Sequence, residues 1–230
     1  MSDRPVAVLF DIDGTLISTG GAGAAAWRLA FADLHDVSAN IEDYTEAGMP
    51  DQMVLSVTFR HVIGRDPTPR EIAKLMAKYL EHLPETVAES KHYVVFPGVN
   101  ELLTRLCDSS HLLGLTTGNV EAAAHIKIGR AGLNRFFAFG GYGSDSPNRG
   151  ELTRIAIARA ATIIGAPPAA AYVVGDTPRD IEAAHEADAV AVGVATGHYT
   201  VDELRTAGAE FVLRTFAEDP FPTAAETTPS

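Results

Sequence analysis

The chain has 230 residues, 46% hydrophobic and 21% charged, a balance ordinary for a water-soluble globular protein with one core or a core plus an insert. Its formal net charge of −12 argues against nucleic-acid or anionic-membrane partners, and an anionic small substrate would then need a local cation. The single cysteine, Cys107, excludes an internal disulfide and a cysteine-rich zinc site, and reads as a buried apolar thiol in a reducing cytoplasm.

In chain order, the first element is the apolar run Val6-Ala7-Val8-Leu9-Phe10, the signature of a strand buried on both faces of a parallel sheet. It is too short for the core of a signal peptide, and no other run approaches the ~20 residues of a membrane span, so a cytoplasmic location is expected. From about residue 19 to 92 no strand is predicted. Gly21–His35 is Ala-rich and helical in character. Thr68-Pro69-Arg70-Glu71 is a capping box with Pro at N1. The helix it opens carries Ile72, Leu75, Met76, Tyr79, Leu80 and Leu83 on one stripe, and Pro84 is expected to close it. Trp27 reads as core packing within this helical segment.

Beyond it, strand and helix alternate. Apolar runs recur at Leu112–Leu115, Ala171–Val174, Ala189–Val194 and Phe211–Leu213. Helices are expected at Pro97–Cys107, Val120–Ala131 (Asn119 as N-cap, Gly132 after its end) and Glu151–Ile164, with further starts at Pro178 and, through the capping box Thr200–Glu203, at Val201. The alternation predicts an α/β protein with a doubly wound parallel sheet. Residues 1–17 and 93–215 form its core, 18–92 an inserted helical module over the catalytic end of the first strand, and 220–230 a disordered tail.

In open α/β sheets ligands bind beyond the carboxyl ends of the strands. Three runs end there in Asp11-Ile12-Asp13-Gly14-Thr15, Thr116-Thr117-Gly118-Asn119 and Gly175-Asp176-Thr177-Pro178-Arg179-Asp180. Singly, such strings are turn and cap residues. Together they gather acids that repel: two charges ~4 Å apart cost about 4 kcal/mol at an effective dielectric of ~20. A hard divalent cation offsets that, and all-oxygen ligands select magnesium. Beside it Asp11 can attack a phosphate in line, and Asp13 can protonate the leaving oxygen and then activate water. Gly14 allows close backbone approach, Thr117 can donate to a phosphoryl oxygen, and Asp176 completes the metal's ligands.

At these residues the chain resembles the haloacid dehalogenase superfamily of phosphohydrolases. Asp11–Thr15 matches DxDGT, Gly175–Asp180 matches GDxxxD, and Thr117-Gly118-Asn119 looks like the second motif. The resemblance implies a Rossmann-like core, an aspartyl-phosphate on Asp11, and magnesium held by Asp11, the Asp13 carbonyl and Asp176, with Asp180 behind them. It implies that Gly14, Thr15, Thr117, Gly118 and Asn119 meet the phosphate, and that the insert is the small helical cap of the phosphoglycolate phosphatase-like branch. The segment 145–152 departs from the pattern: the family's lysine is missing, and Arg149, always charged and able to bind phosphate bidentately, is the candidate replacement ahead of Arg154.

The expected substrate is a small phosphorylated metabolite, phosphoglycolate-like or a sugar phosphate. Asp13 argues against a dehalogenase. A sugar phosphomutase shares the nucleophile and stays open. A phosphonate hydrolase would need an insert lysine, and of Lys74, Lys78 and Lys91 the first two lie off the apolar stripe. A binding module with a degraded site is the alternative from another class. Thr19-Gly20-Gly21 and Gly48-Met49-Pro50-Asp51 are candidates to face the substrate. The eight histidines show no ligand spacing, and monomer and homodimer remain equally open.

Overall fold

The computed structural model describes residues 4–109, 111–218 and 220–222. Its centre is a six-stranded parallel sheet built from β1 (Ala7–Phe10), β4 (Leu112–Thr117), β5 (Phe139–Tyr142), β6 (Ala171–Gly175), β7 (Val190–Val194) and β8 (Phe211–Leu213), in the order β5-β4-β1-β6-β7-β8. β1 is central, paired in parallel with β4 (Phe10 opposite Leu115) and with β6 (Phe10 opposite Val174). Its side chains alternate between two buried faces, which is why it reads as an unbroken apolar run. Val8 and Phe10 pack with α4 (Val99–Asp108) and α5 (Glu121–Gly129). Ala7 and Leu9 pack with α6 (Arg149–Ile164), α7 (Pro178–Glu186) and α8 (Val201–Thr206).

β5 was not expected. Its sequence Phe-Gly-Gly-Tyr lacks a β-branched run, yet a side chain at Gly141 would overlap the Leu152 carbonyl, so glycine there lets α6 pack against the strand.

Between β1 and β4 the chain is helical, flanked by the two-residue antiparallel ribbon of β2 (Ile17–Ser18) and β3 (Val94–Val95). α1 (Ala22–His35), α2 (Asp51–Ile63) and α3 (Pro69–Glu89) share a hydrophobic cluster distinct from those of the sheet. At its middle Trp27 and Tyr79 stack with centroids 4.1 Å apart and planes 4° from parallel, an arrangement worth about 0.5–1.5 kcal/mol beyond area burial. The predicted stripe is the buried face of α3: Leu75, Tyr79 and Leu83 are fully covered, with Ile72, Met76 and Leu80 packed beside them. Pro84 does not close that helix, which continues to Glu89. Leu83 and Val87 stay buried across the proline, and their packing outweighs the hydrogen bond it forfeits.

Three smaller expectations are corrected. α5 starts from Val120 rather than Asn119 and ends at Gly129, because the Asn119 side chain is turned into the site and the Val120 N–H is met by the Asp51 carboxylate. Cys107 is exposed rather than buried, lying off the α4 face that carries Val99, Leu102, Leu103 and Leu106. The tail expected from residue 220 does not begin there, since Phe221 is 6% exposed with its ring 6.3 Å from that of Tyr172; residues 223–230 lie outside the described residues. Among the described residues no helix is long and apolar enough to cross a membrane.

Candidate active site

A cavity of about 730 Å³ opens between the carboxyl edge of the sheet and the helical insert. Its sheet-side wall contains Asp11, Asp13, Gly14, Thr117, Gly118, Asn119, Arg149 and Asp176; its opposite wall contains Thr19, Gly20, Gly21, Trp27, Gly48, Met49 and Asp51. Candidate residues from three strands and from the insert therefore meet at one place.

Each is placed by simple local structure. Asp11 follows β1 directly, and its N–H donates to the Val174 carbonyl at 2.9 Å. The chain then turns sharply: the N–H groups of Leu16 and Ile17 donate back to Ile12, and Gly14 adopts φ +88°, where a side chain would be strained and would also overlap the Asp176 carboxylate. Asp176 follows β6. Asp180 sits in the first turn of α7, where its Oδ2 accepts from the N–H and the hydroxyl of Thr177, the latter at 2.7 Å.

The oxygens of Asp11, Asp176 and Asp180 lie within 4.8 Å of one another, and all three residues are 2–3% exposed. Burial, opposed by Arg149 and reinforced by Asp180 and Asp13, raises the Asp11 pKa to about 7. Burial, with Asp180 and Asp11 adding to it, raises that of Asp176 to about 8. A desolvated cluster of hard oxygen donors is what a magnesium ion requires, so these residues fit that ion. Asp180 is already engaged at both oxygens, by Thr177 on one side and Arg149 on the other, which leaves Asp11 and Asp176 as the freer donors.

Arg149 is the N1 residue of α6, preceded by the Asn148 cap. Its guanidinium stands 3.3 Å from Asp11, pairs with Asp180, and donates to the Gly48 carbonyl at 3.1 Å. Burial disfavours its charge, but the two aspartates outweigh this and raise its pKa further. The expected replacement cation is thus in contact with the expected nucleophile. Arg154 instead pairs at the surface with Glu151 and Glu186.

Thr117, Asn119 and Asp13 form a network. Thr117 Oγ accepts from Asn119 Nδ2 at 2.8 Å and from the Asn119 N–H at 3.3 Å. With both lone pairs occupied, its O–H remains as a donor at the cavity wall. Asn119 Nδ2 also donates to Asp13 Oδ2 at 2.8 Å, and Asn119 Oδ1 accepts from Lys127 at 2.6 Å, so the amide is fully used within the protein. Thr15 is not at the cavity wall: it is wholly buried and donates to Asp176 Oδ1 at 3.0 Å.

Three participants were missed by sequence reading. Lys127, on α5, is 7% exposed and pairs with Asp13 at 2.7 Å; a lysine inside an Ala-rich helix carries no motif. Thr196 and Gly197, after β7, back the site: Thr196 donates to the Gly14 carbonyl at 2.6 Å, and a side chain at Gly197 would overlap the Asp176 carboxylate. Their signal was available, since β7 was recognised and its carboxyl end faces the same edge. Among the insert lysines, Lys78 pairs with Asp33 and Glu81, and none borders the cavity.

Fold and site together define an α/β core that gathers buried carboxylates at one edge of its sheet, beside a helical insert. A family model for haloacid dehalogenase-like hydrolases matches residues 6–188, and the chain belongs to that family. It is 30% identical over 216 residues to the probable phosphatase IndB of Dickeya dadantii, covering 92% of this chain and 90% of that protein. It is 26% identical over 210 residues to a phosphoglycolate phosphatase of Synechococcus elongatus, covering 91% and 92%. In fold it is similar to a predicted phosphoglycolate phosphatase from Haemophilus somnus (TM-score 0.71, 20% identity, 94% and 96% covered) and to a β-phosphoglucomutase from Clostridium difficile (TM-score 0.70, 20% identity, 94% and 93% covered). The chain is a phosphatase of that superfamily, acting on a small phosphorylated substrate.

Proposed function

We propose that the protein is a magnesium-dependent phosphomonoester hydrolase working through an aspartyl-phosphate on Asp11, with a phosphoglycolate-like molecule or a sugar phosphate as substrate. The observation that carries this reading is the placement of the Asp11 carboxylate. It lies among Asp176, Asp180 and Arg149 at the wall of the cavity between sheet and insert, with Asp13 lining the same wall.

Asp11, Asp176 and the Asp13 carbonyl are the residues we assign to magnesium. When bound, the ion supplies neutralisation of the nucleophile and of the phosphoryl oxygens. The rest belongs to the chain. Arg149 and the Thr117 hydroxyl orient the phosphoryl group, with Gly14 and Gly118 offering backbone close to it. Asp11 attacks phosphorus, the ester P–O bond breaks, and the departing oxygen takes a proton from Asp13. A water then gives its proton back to Asp13 and attacks phosphorus. The Asp11 O–P bond breaks, releasing inorganic phosphate and restoring the Asp11 carboxylate and the protonated Asp13. Asn119 holds Asp13 and Thr117 in place, and Thr15 and Asp180 support Asp176 and Arg149. The insert, residues 18–92, serves as the cap: Gly48 and Asp51 both bond to core residues, so its docking excludes water from the transfer.

The test is phosphate release from phosphoglycolate and a panel of sugar phosphates, with and without magnesium. Stoichiometric phosphate and dephosphorylated product are expected, with no isomerised phosphate ester, and Asp11→Asn is expected to abolish release. Turnover unchanged by that substitution, or an isomer as sole product, overturns the reading.

A further inference from the structure

The wall of the cavity holds a second buried cation besides Arg149. Lys127 lies on α5 and is held by three acids: Asp13 directly, with Asp51 of α2 and Asp11 beyond it. Its ammonium donates to Asp13 Oδ2 at 2.7 Å and to Asn119 Oδ1 at 2.6 Å, while Asn119 Nδ2 donates to the same Asp13 oxygen at 2.8 Å. The three side chains close a triangle on one carboxylate oxygen. The lysine also fixes the amide: because an ammonium needs an acceptor, Asn119 must present Oδ1 to it and both Nδ2 hydrogens to Asp13 and Thr117. α1 crosses at Gly23, where a Cβ would stand 3.7 Å from Nζ.

We propose that Lys127 is a positioning residue for Asp13. The inference rests on the hydrolase reading above. Asp13 follows a sharp turn, and its side chain is 38% exposed, so its own loop leaves it free to rotate. Pinning Oδ2 between Lys127 and Asn119 leaves Oδ1 as the one oxygen free to serve the leaving group. Lys127 itself touches neither phosphorus nor the ester oxygen, so its removal acts on proton delivery and not on nucleophilic attack.

That separation gives the test. kcat/KM covers steps up to leaving-group departure, and general-acid help is worth about 10²–10⁴-fold where the leaving group is poor. Lys127→Met is compared with wild type on an alkyl phosphate and on p-nitrophenyl phosphate, whose phenolate departs without a proton. The expected result is a loss of about 10²-fold or more on the alkyl ester and a loss of under about threefold on the aryl ester. In an Asp13→Asn background the same substitution is expected to add less than about twofold, because both changes remove one function. Equal losses on the two esters, or losses that multiply in the double variant, overturn the proposal. Should Lys127→Met not fold, Lys127→Gln is read by the same two criteria. Asp11→Asn runs in parallel: if that variant turns over both esters, the nucleophile assignment fails, an outcome distinct from failure of the Lys127 role.

Discussion

Val120 donates its backbone N–H to the carboxylate of Asp51 at 2.8 Å, and the Asp51 N–H in turn donates to the Gly118 carbonyl at 2.9 Å. A helix of the insert thus caps a helix of the core, with one acid lying between two positive helix ends. Burial, opposed by Lys127, raises the Asp51 pKa to about 6. Asp51→Ala leaves the Val120 N–H without its acceptor, and a loss of about 1–3 kcal/mol in urea unfolding is expected, together with a raised KM. Asp51→Asn retains an acceptor and is expected to lose less. An unchanged unfolding midpoint in the alanine variant would refute the capping role.

Without metal, stability is expected to fall as pH rises. Burial, reinforced by the neighbouring carboxylates, pushes Asp11 and Asp176 up to about 7 and about 8 in the folded chain, from an ordinary carboxylate value of 3.8. Between those limits the folded state binds more protons than the unfolded one, so its advantage is complete below about pH 4 and is lost as pH climbs through about 8. Thermal unfolding in chelator should show a melting temperature lower at pH 8 than at pH 6. Added magnesium, which favours the ionised forms, should raise it more at pH 8. The opposite slope would count against the clustered acids as the metal site.

Arg149 supplies the positive charge facing Asp11, 3.3 Å away. Arg149→Ala is expected to lower kcat by about 10²–10³-fold, the scale of removing one preorganised electrostatic contact. Arg149→Lys restores charge but not the simultaneous reach to Asp11, Asp180 and Gly48, so partial recovery is expected in steady-state kinetics.

Gly197→Ala forces a methyl group into the Asp176 carboxylate. The magnesium concentration for half-maximal activity is expected to rise by roughly 10–100-fold, as for disturbed support of a metal ligand. kcat at saturating metal should change far less. A titration indistinguishable from wild type would mean that Asp176 does not hold the ion.

Much of this was legible in the chain because strand periodicity and motif position point the same way. Phe10, Leu115 and Val174 end apolar runs that pair in register, so the residues just after them had to share an edge. Arg149 could be picked out because the expected lysine was missing from one short segment. What stayed hidden depends on tertiary contact. β5 gives no strand signal because two of its four residues are glycines, Gly141 being there for the approach of α6. Pro84 looks like a stop, yet its helix is carried across by the burial of Leu83 and Val87. Asn119 has the composition of a helix cap, but Asp51, 68 positions earlier in the chain, takes over that task and frees the amide for Asp13. Lys127 is invisible for the same reason: its partners come from a loop after β1 and from a helix of the insert.

The stacked pair Trp27 and Tyr79 has a use of its own. Trp27 is the only tryptophan in the sequence, and its ring both borders the cavity and lies against a phenol whose proton is held well beyond its normal range, chiefly by burial. Emission excited at the red edge of the indole band, beyond the absorption of the six tyrosines, therefore originates at one residue on the cavity wall. Any molecule entering the chamber, and any parting of the insert from the sheet, would be recorded by that one indole without an attached dye.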